Sequence, residues 1–275
     1  MSLPFRSRLV ALSAVGLLLT AAVPPPPRLL RVCADPNNLP FSNRRQQGFE
    51  NRIAALVAAD LHATLVYTWW AQRRGFVRNT LNAGRCDLVM GVPVDEEMVR
   101  TTHPYYASTY VFLTRRSDSL DIHSLDDPRL RRLRIGIHFI GDDYHNTPPA
   151  QALARRGLVR NVTGYSIYGD YSKPNPPARL IDAVARGDAD VAIVWGPFAG
   201  YFGRRSPVPL AIAPVPPEPD SVGSRVPFVF RIAAGVRRSD TALQARVDRV
   251  LGARRSDIRE ILGRYGVPLA GKERT

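Results

Sequence analysis

Asp35-Pro36-Asn37-Asn38 gathers a carboxylate and two amides within four residues. Such groups can hydrogen-bond a polar ligand, or fold back on their own backbone as an Asx-turn. Glu50 opens a helical pattern, where a negative charge suits the positive end of a helix. Glu50 and Asp35 are also the candidates for the carboxylate base that a dehydratase would need, although neither has an evident acid partner. Asp142, Asp143 and His145 cluster, and a polar loop explains them as well as a metal does. The five histidines, His62, His103, His123, His138 and His145, show no metal-ligand spacing. No Gly-x-Ser-x-Gly elbow, phosphate loop or dinucleotide fingerprint appears. Catalysis, a resident metal and a cofactor are therefore not expected. Trp69, Trp70, Tyr105, Tyr106 and Trp195 offer aromatic surface instead, suited to a ring-bearing solute or to a protein partner.

These residues stand where strands end. Leu29 to Ala34 reads as a strand that runs into the Asp35 loop. Gly48 to Leu61 has helical spacing, with Ile53, Leu56, Val57 and Leu61 on one face. Thr64 to Trp70 is β-branched and aromatic, Arg73 to Ala83 reads as a second helix, and Asp87 to Val92 as a third strand. A second unit repeats the alternation. Its strands are Arg134 to His138, Asn161 to Ile167 and Asp190 to Trp195, and its helices are Pro148 to Arg156 and Pro177 to Arg186. Pro207 to Pro219 reads as extended, Val226 to Val236 as a strand, and Ser239 to Arg254 and Asp257 to Tyr265 as terminal helices.

Two such α/β units in tandem predict parallel sheets with right-handed crossovers. Joined by two crossing segments, Tyr110 to Arg116 and Val222 to Phe230, they predict a bilobed clamshell. Residues 28–112 with 228–275 form one lobe, and residues 113–227 the other. Open α/β sheets bind ligands beyond the carboxyl ends of their strands. The cleft candidates are therefore Asp35, Asn37, Asn38, Phe41, Trp69, Trp70, Val92, Pro93, Tyr105, Tyr106, Asp142, Tyr144 and Trp195.

The 275 residues include 45% hydrophobic and 23% charged residues, ordinary for a folded protein. The net charge is +14, and only two of the 38 basic residues, Lys173 and Lys272, are lysines. The arginines are scattered as doublets such as Arg44-Arg45 and Arg254-Arg255, with no nucleic-acid module, so an acidic protein partner fits better than nucleic acid. Arg6 and Arg8 precede an apolar run from Leu9 to Leu19, then Thr20, Ala21 and Ala22. This reads as a secretory signal over residues 1–22, cut after Ala22. The run is short for a membrane span, which needs about 20 residues. The exported chain is expected in the periplasm, free of the membrane. In that oxidising compartment Cys33 and Cys86 are expected to bridge, closing a loop of about 53 residues.

Asp35-Pro-Asn-Asn-Leu-Pro-Phe-Ser42, Gly48-Phe-Glu-Asn51, Gly84-Arg-Cys-Asp87 and Thr102-His-Pro-Tyr-Tyr106 resemble the periplasmic solute-binding proteins of type 2 topology. Val191-Ala-Ile-Val-Trp-Gly-Pro197 resembles their second lobe. More narrowly, Val32 to Ser42, with Tyr67-Thr-Trp-Trp70 and Arg74 to Leu81, resembles the J proteins of methanol-oxidation clusters (MoxJ and XoxJ type). Those accompany PQQ-dependent, calcium- or lanthanide-dependent methanol dehydrogenases. The resemblance implies a periplasmic accessory role, in maturation or activation of a quinoprotein methanol or alcohol dehydrogenase by protein contact.

The amino-acid binders of the wider family carry a clamp that is missing here. Pro93 stands where they present a Thr after the third strand, with Gly91 to Arg100 covering the region of their Arg. Gly141 to Thr147 brings two acids where they hold an anion, and Trp195 stands where an Asp meets the amine. No amino-acid ligand is expected. The alternative is a receptor that hands a small, non-amino-acid solute to an ABC importer.

Overall fold

The computed structural model describes residues 28–139, 147–167, 171–217 and 227–271. The expected signal and the loop with Asp142, Asp143, Tyr144 and His145 lie outside these residues. Apolar Leu29–Ala34 forms β1, and a small hairpin of β2 (Asn37–Asn38) and β3 (Ser42–Asn43) follows. Helix α1 (Phe49–Asp60) buries Phe49, Ile53, Ala54 and Val57 on one face, as the spacing predicts. Next come β4 (Thr64–Trp69), α2 (Phe76–Asn79), β5 (Leu88–Pro93), β6 (Arg100–Thr101) and β7 (Tyr106–Arg115). The second unit holds β8 (Ile135–Phe139), α3 (Pro148–Arg155), β9 (Val162–Ser166), α4 (Ala178–Arg186) and β10 (Val191–Trp195). The chain ends through α5 (Gly196–Gly203), β11 (Leu210–Pro214), β12 (Val229–Val236), α6 (Thr241–Ala253) and α7 (Arg255–Arg264).

Two helices differ from the sequence expectation. The helix expected over Arg73 to Ala83 is one turn, α2. Gly75 just before it is left-handed, with φ 82°, and Thr80 turns its hydroxyl back onto the Phe76 carbonyl at 2.6 Å. An Oγ bond of that kind competes with helix continuation. Helix α5 was not anticipated, because glycines and aromatics are weak helix formers. Packing explains it: a Cβ at Gly200 would stand 1.8 Å from the Gly266 carbonyl oxygen, so glycine lets α5 lie against the C-terminal segment.

The strands form one sheet in the order β4-β1-β5-β12-β7-β10-β8-β9, with β11 on β7 and β6 on β12. β4, β1 and β5 are parallel, as are β10, β8 and β9. Antiparallel β12 and β7 stand between these two groups. Strand β7 is shared along its length. Residues Tyr106 to Thr109 pair with β12, and Tyr110 to Thr114 pair with β10. The result is the bilobed clamshell, with β7 as the segment that crosses from one half to the other.

Cys33 and Cys86 are joined, with Cα atoms 5.6 Å apart. They sit in a small buried cluster with Phe76, Leu81, Val89 and Val92. Among the described residues, no helix is long and apolar enough to cross a membrane.

Candidate functional site

The Asp35 loop leaves the carboxyl end of β1 and meets the other half of the molecule directly. Asp35 is almost wholly buried. Its Oδ1 accepts from the Asn37 N–H at 2.7 Å, the Asx-turn weighed above. Its Oδ2 accepts from the Gln72 N–H at 2.7 Å and from the Tyr171 hydroxyl at 2.8 Å. Asn37 Nδ2 donates to the Lys173 carbonyl at 2.8 Å, and its Oδ1 accepts from the Asn175 N–H at 3.3 Å. Phe41 meets Phe198 of α5 edge to face, with ring centroids 5.2 Å apart. The Arg73 guanidinium lies over the Tyr171 ring, 5.2 Å from its centroid. These contacts form a clasp that shuts the cleft with groups of the chain itself.

Beside the clasp lies a polar floor. Glu50, 9% exposed, is buried on the inner side of α1, rather than being the exposed helix-start charge of the simplest reading. Its Oε1 would stand 2.0 Å from a Cβ placed on Gly91, which is left-handed at φ 68°. Only glycine leaves room for that carboxyl. Burial pushes Glu50 up to about 8, and the charge of Asp35 adds to the effect. The Gly91 N–H donates to the Tyr105 hydroxyl at 3.2 Å. Burial, then the nearness of Glu50, raises Tyr105 and Tyr106. Asn38 donates to Gln72 Oε1 at 3.4 Å, while its buried Oδ1 has no partner among the described residues. Across the cleft, His138 is held neutral, pulled down to about 4 by burial. Its Nε2 lies 3.1 Å from the Pro177 carbonyl oxygen, and its ring packs on Phe198.

The remaining candidates divide between core and surface. Trp69 stacks on Tyr67 with centroids 4.6 Å apart and is half-buried. Trp70 is exposed, with Arg85 over its ring at 5.2 Å. Tyr106 is buried against Phe49. Trp195 joins Tyr110 and Phe230, so its ring packs where β7, β10 and β12 meet. Val92 turns into the cluster around the disulfide rather than toward the cleft, because left-handed Gly91 and the register shift against β12 break the alternation that would place it with Leu88 and Met90. Pro93 is half-buried and pairs with Ile232 of β12. Asp142 and Tyr144 lie outside the described residues.

The arrangement brings Asp35, Asn37, Asn38 and Phe41 together with Tyr171, Lys173, Asn175 and Phe198, none of which the sequence reading singled out. The polar run Tyr171-Ser-Lys-Pro-Asn175 marks a loop and nothing more. Its partner lies 136 residues away in the chain. Chemically, the site can hold polar groups and exclude water. Asp35 has both oxygens satisfied, and among the described residues no acid or base is hydrogen-bonded to Glu50.

Comparison with known proteins fits this geometry. Residues 30–267 match the bacterial extracellular solute-binding proteins, family 3. Protein MoxJ of Methylorubrum extorquens is 35% identical over 258 residues, covering 90% of this chain and 84% of its own length. The crystal structure of periplasmic binding protein XoxJ from Methylobacterium extorquens AM1 is 38% identical, with a TM-score of 0.72, over 89% of this chain and 100% of that one. The crystal structure of MxaJ from Methlophaga aminisulfidivorans is 26% identical, with a TM-score of 0.75, over 88% and 100%. The chain belongs to the family 3 extracellular solute-binding proteins and, within them, to the MoxJ-type proteins.

Proposed function

We propose that this MoxJ-type member of the solute-binding family is a periplasmic accessory protein of a quinoprotein methanol or alcohol dehydrogenase, acting by protein contact in the enzyme's maturation or activation. The observation that carries the reading is the clasp. Tyr171, Lys173 and Asn175 occupy the hydrogen-bonding groups of Asp35 and Asn37 that a captured solute would otherwise use. Trp195 and Pro93, in place of the amino-acid clamp, support it further. The chain is exported through cleavage after Ala22, works without catalysis, and moves as two lobes, 28–112 with 228–275 against 113–227. The test is co-purification of the exported chain with the quinoprotein dehydrogenase, together with an assay of dehydrogenase activation across ionic strength. A complex and faster activation are expected, both weakened by salt. No complex and no effect on activation would remove the reading.

A second reading, an ABC-importer receptor for a small, non-amino-acid solute, is favoured by the unpartnered Asn38 Oδ1 and by Glu50. Thermal-shift screening separates the two. A solute at 100 times its Kd would add ~2.7 kcal/mol, and the accessory reading expects no hit among small periplasmic metabolites.

A further inference from the structure

Behind Tyr105 and Tyr106, a groove of about 1020 Å³ opens beside the strands that join the two halves. One wall is the outward face of β12, where Val229 and Arg231 stand two residues apart and pair with Thr109 and Ala107 of β7. The opposite wall is α7, which presents Arg255 and Arg259 at helical spacing above the buried Leu262. The C-terminal segment closes the third side with Leu269. It is tied to β7 by a bridge to Ser108 and by the Ala270 N–H, which donates to the Ala107 carbonyl at 2.9 Å.

Two features set this groove apart. Val229 and Leu269 are exposed, at 43% and 46%. Its charge is basic. Elsewhere arginines take up the acids: Asp87 lies between Arg31 and Arg237, Asp190 meets Arg134, and Asp60 meets Arg254. Arg231 and Arg255 have no such carboxylate among the described residues. Asp248, an acid beside His103 and Arg255, is held by the His103 N–H and by His103 Nδ1, each at 2.7 Å. Guanidinium groups over apolar floor recognise carboxylates whose own side chains bring apolar neighbours.

We propose that this groove is a docking site for an acidic, leucine-bearing segment of a protein partner, gripped by Arg231 and Arg255 and seated on Val229 and Leu269. The occupant's being part of a protein partner rests on the accessory reading above. The groove abuts both crossing strands, so the docked segment lies against the parts that bend when the lobes move.

The test uses fluorescence anisotropy with the exported chain and a labelled peptide of alternating glutamate and leucine, a lysine–leucine peptide serving as control. Purified quinoprotein methanol dehydrogenase is assayed in parallel. Arg231→Glu combined with Arg255→Glu is compared with Arg44→Glu combined with Arg45→Glu, an exposed doublet elsewhere. An unchanged Tm identifies variants that remain folded. The groove variant is expected to lose at least about tenfold in affinity for the acidic peptide, which is a change of 1.4 kcal/mol, and the control doublet less than about twofold. Equal binding by wild type and groove variant overturns the proposal, as does an equal loss in the control doublet, which would indicate diffuse charge. A chain ending at Gly271 that binds the peptide when the full chain does not would make the chain's own tail the occupant, and also overturns it. If the dehydrogenase binds wild type and groove variant alike, the groove fails and the accessory reading stands. If the peptide binds through the groove while the dehydrogenase binds neither, the groove stands and the choice of partner fails.

Discussion

At the scale of single residues, Glu50 sets a pH dependence. Its value in the folded chain, about 8, stands above the usual 4.5 because burial opposes its charge. The unfolded chain therefore releases this proton first as pH rises. The stability tied to the protonated carboxyl is fully present below pH 4.5 and is lost as pH rises through 8. His138 works in the other direction. Burial lowers it from 6.5 to about 4, so its share is present above 6.5 and is lost as pH falls through 4. Glu50→Gln removes the first effect and leaves the second. In urea melts between pH 5 and 9 the variant is expected to flatten the alkaline decline by a few kcal/mol, roughly the size of a buried shift of this kind. Parallel profiles for variant and wild type would refute this. The sequence showed Glu50 as a helix-start acid, because position within a helix is local information. Its pairing with Gly91 joins the start of α1 to β5, which only the fold brings together.

At the scale of elements, most strands and helices were legible, because period and composition agree in them. Strand β1 follows its apolar run from Leu29 to Ala34, and α4 ends at left-handed Gly187 as its sequence suggests. The misses have physical causes. Helix α5 exists through close packing that propensity does not register, and α2 is cut short by left-handed Gly75. Gly200→Ala is expected to cost about 1–3 kcal/mol, as overpacking does, read as a lowered urea midpoint with an unchanged slope. The Cys33–Cys86 bridge closes 53 residues of chain between β1 and β5. Replacing both cysteines by alanine is expected to cost about 3–4 kcal/mol by chain entropy, while the far-UV spectrum stays native. Undiminished stability would show that the surrounding apolar cluster holds these strands unaided.

At the scale of the molecule, the clasp predicts how the halves move. Tyr171→Phe removes one hydrogen bond to Asp35 Oδ2 and leaves the one from the Gln72 N–H. The variant is expected to lose about 1–3 kcal/mol and to shift toward open forms, seen as a larger radius of gyration in small-angle scattering. An unchanged radius with unchanged stability would show that the clasp does not hold the lobes. The bilobed architecture was legible from two tandem α/β units and from the resemblance of their motifs. The clasp was not, because it joins Asp35 and Asn37 to a loop more than a hundred residues away, and nothing local marks Tyr171 as their partner.

A trap that springs only on prey counts its prey, since a guest moves the balance between open and shut only by favouring one over the other. On the accessory reading, a jaw whose own tyrosine sits in the bite has little left to report about the abundance of anything small. That reading leaves a body large enough to pry at the joint from outside to move it, and the force needed would be set by that tyrosine and its aspartate.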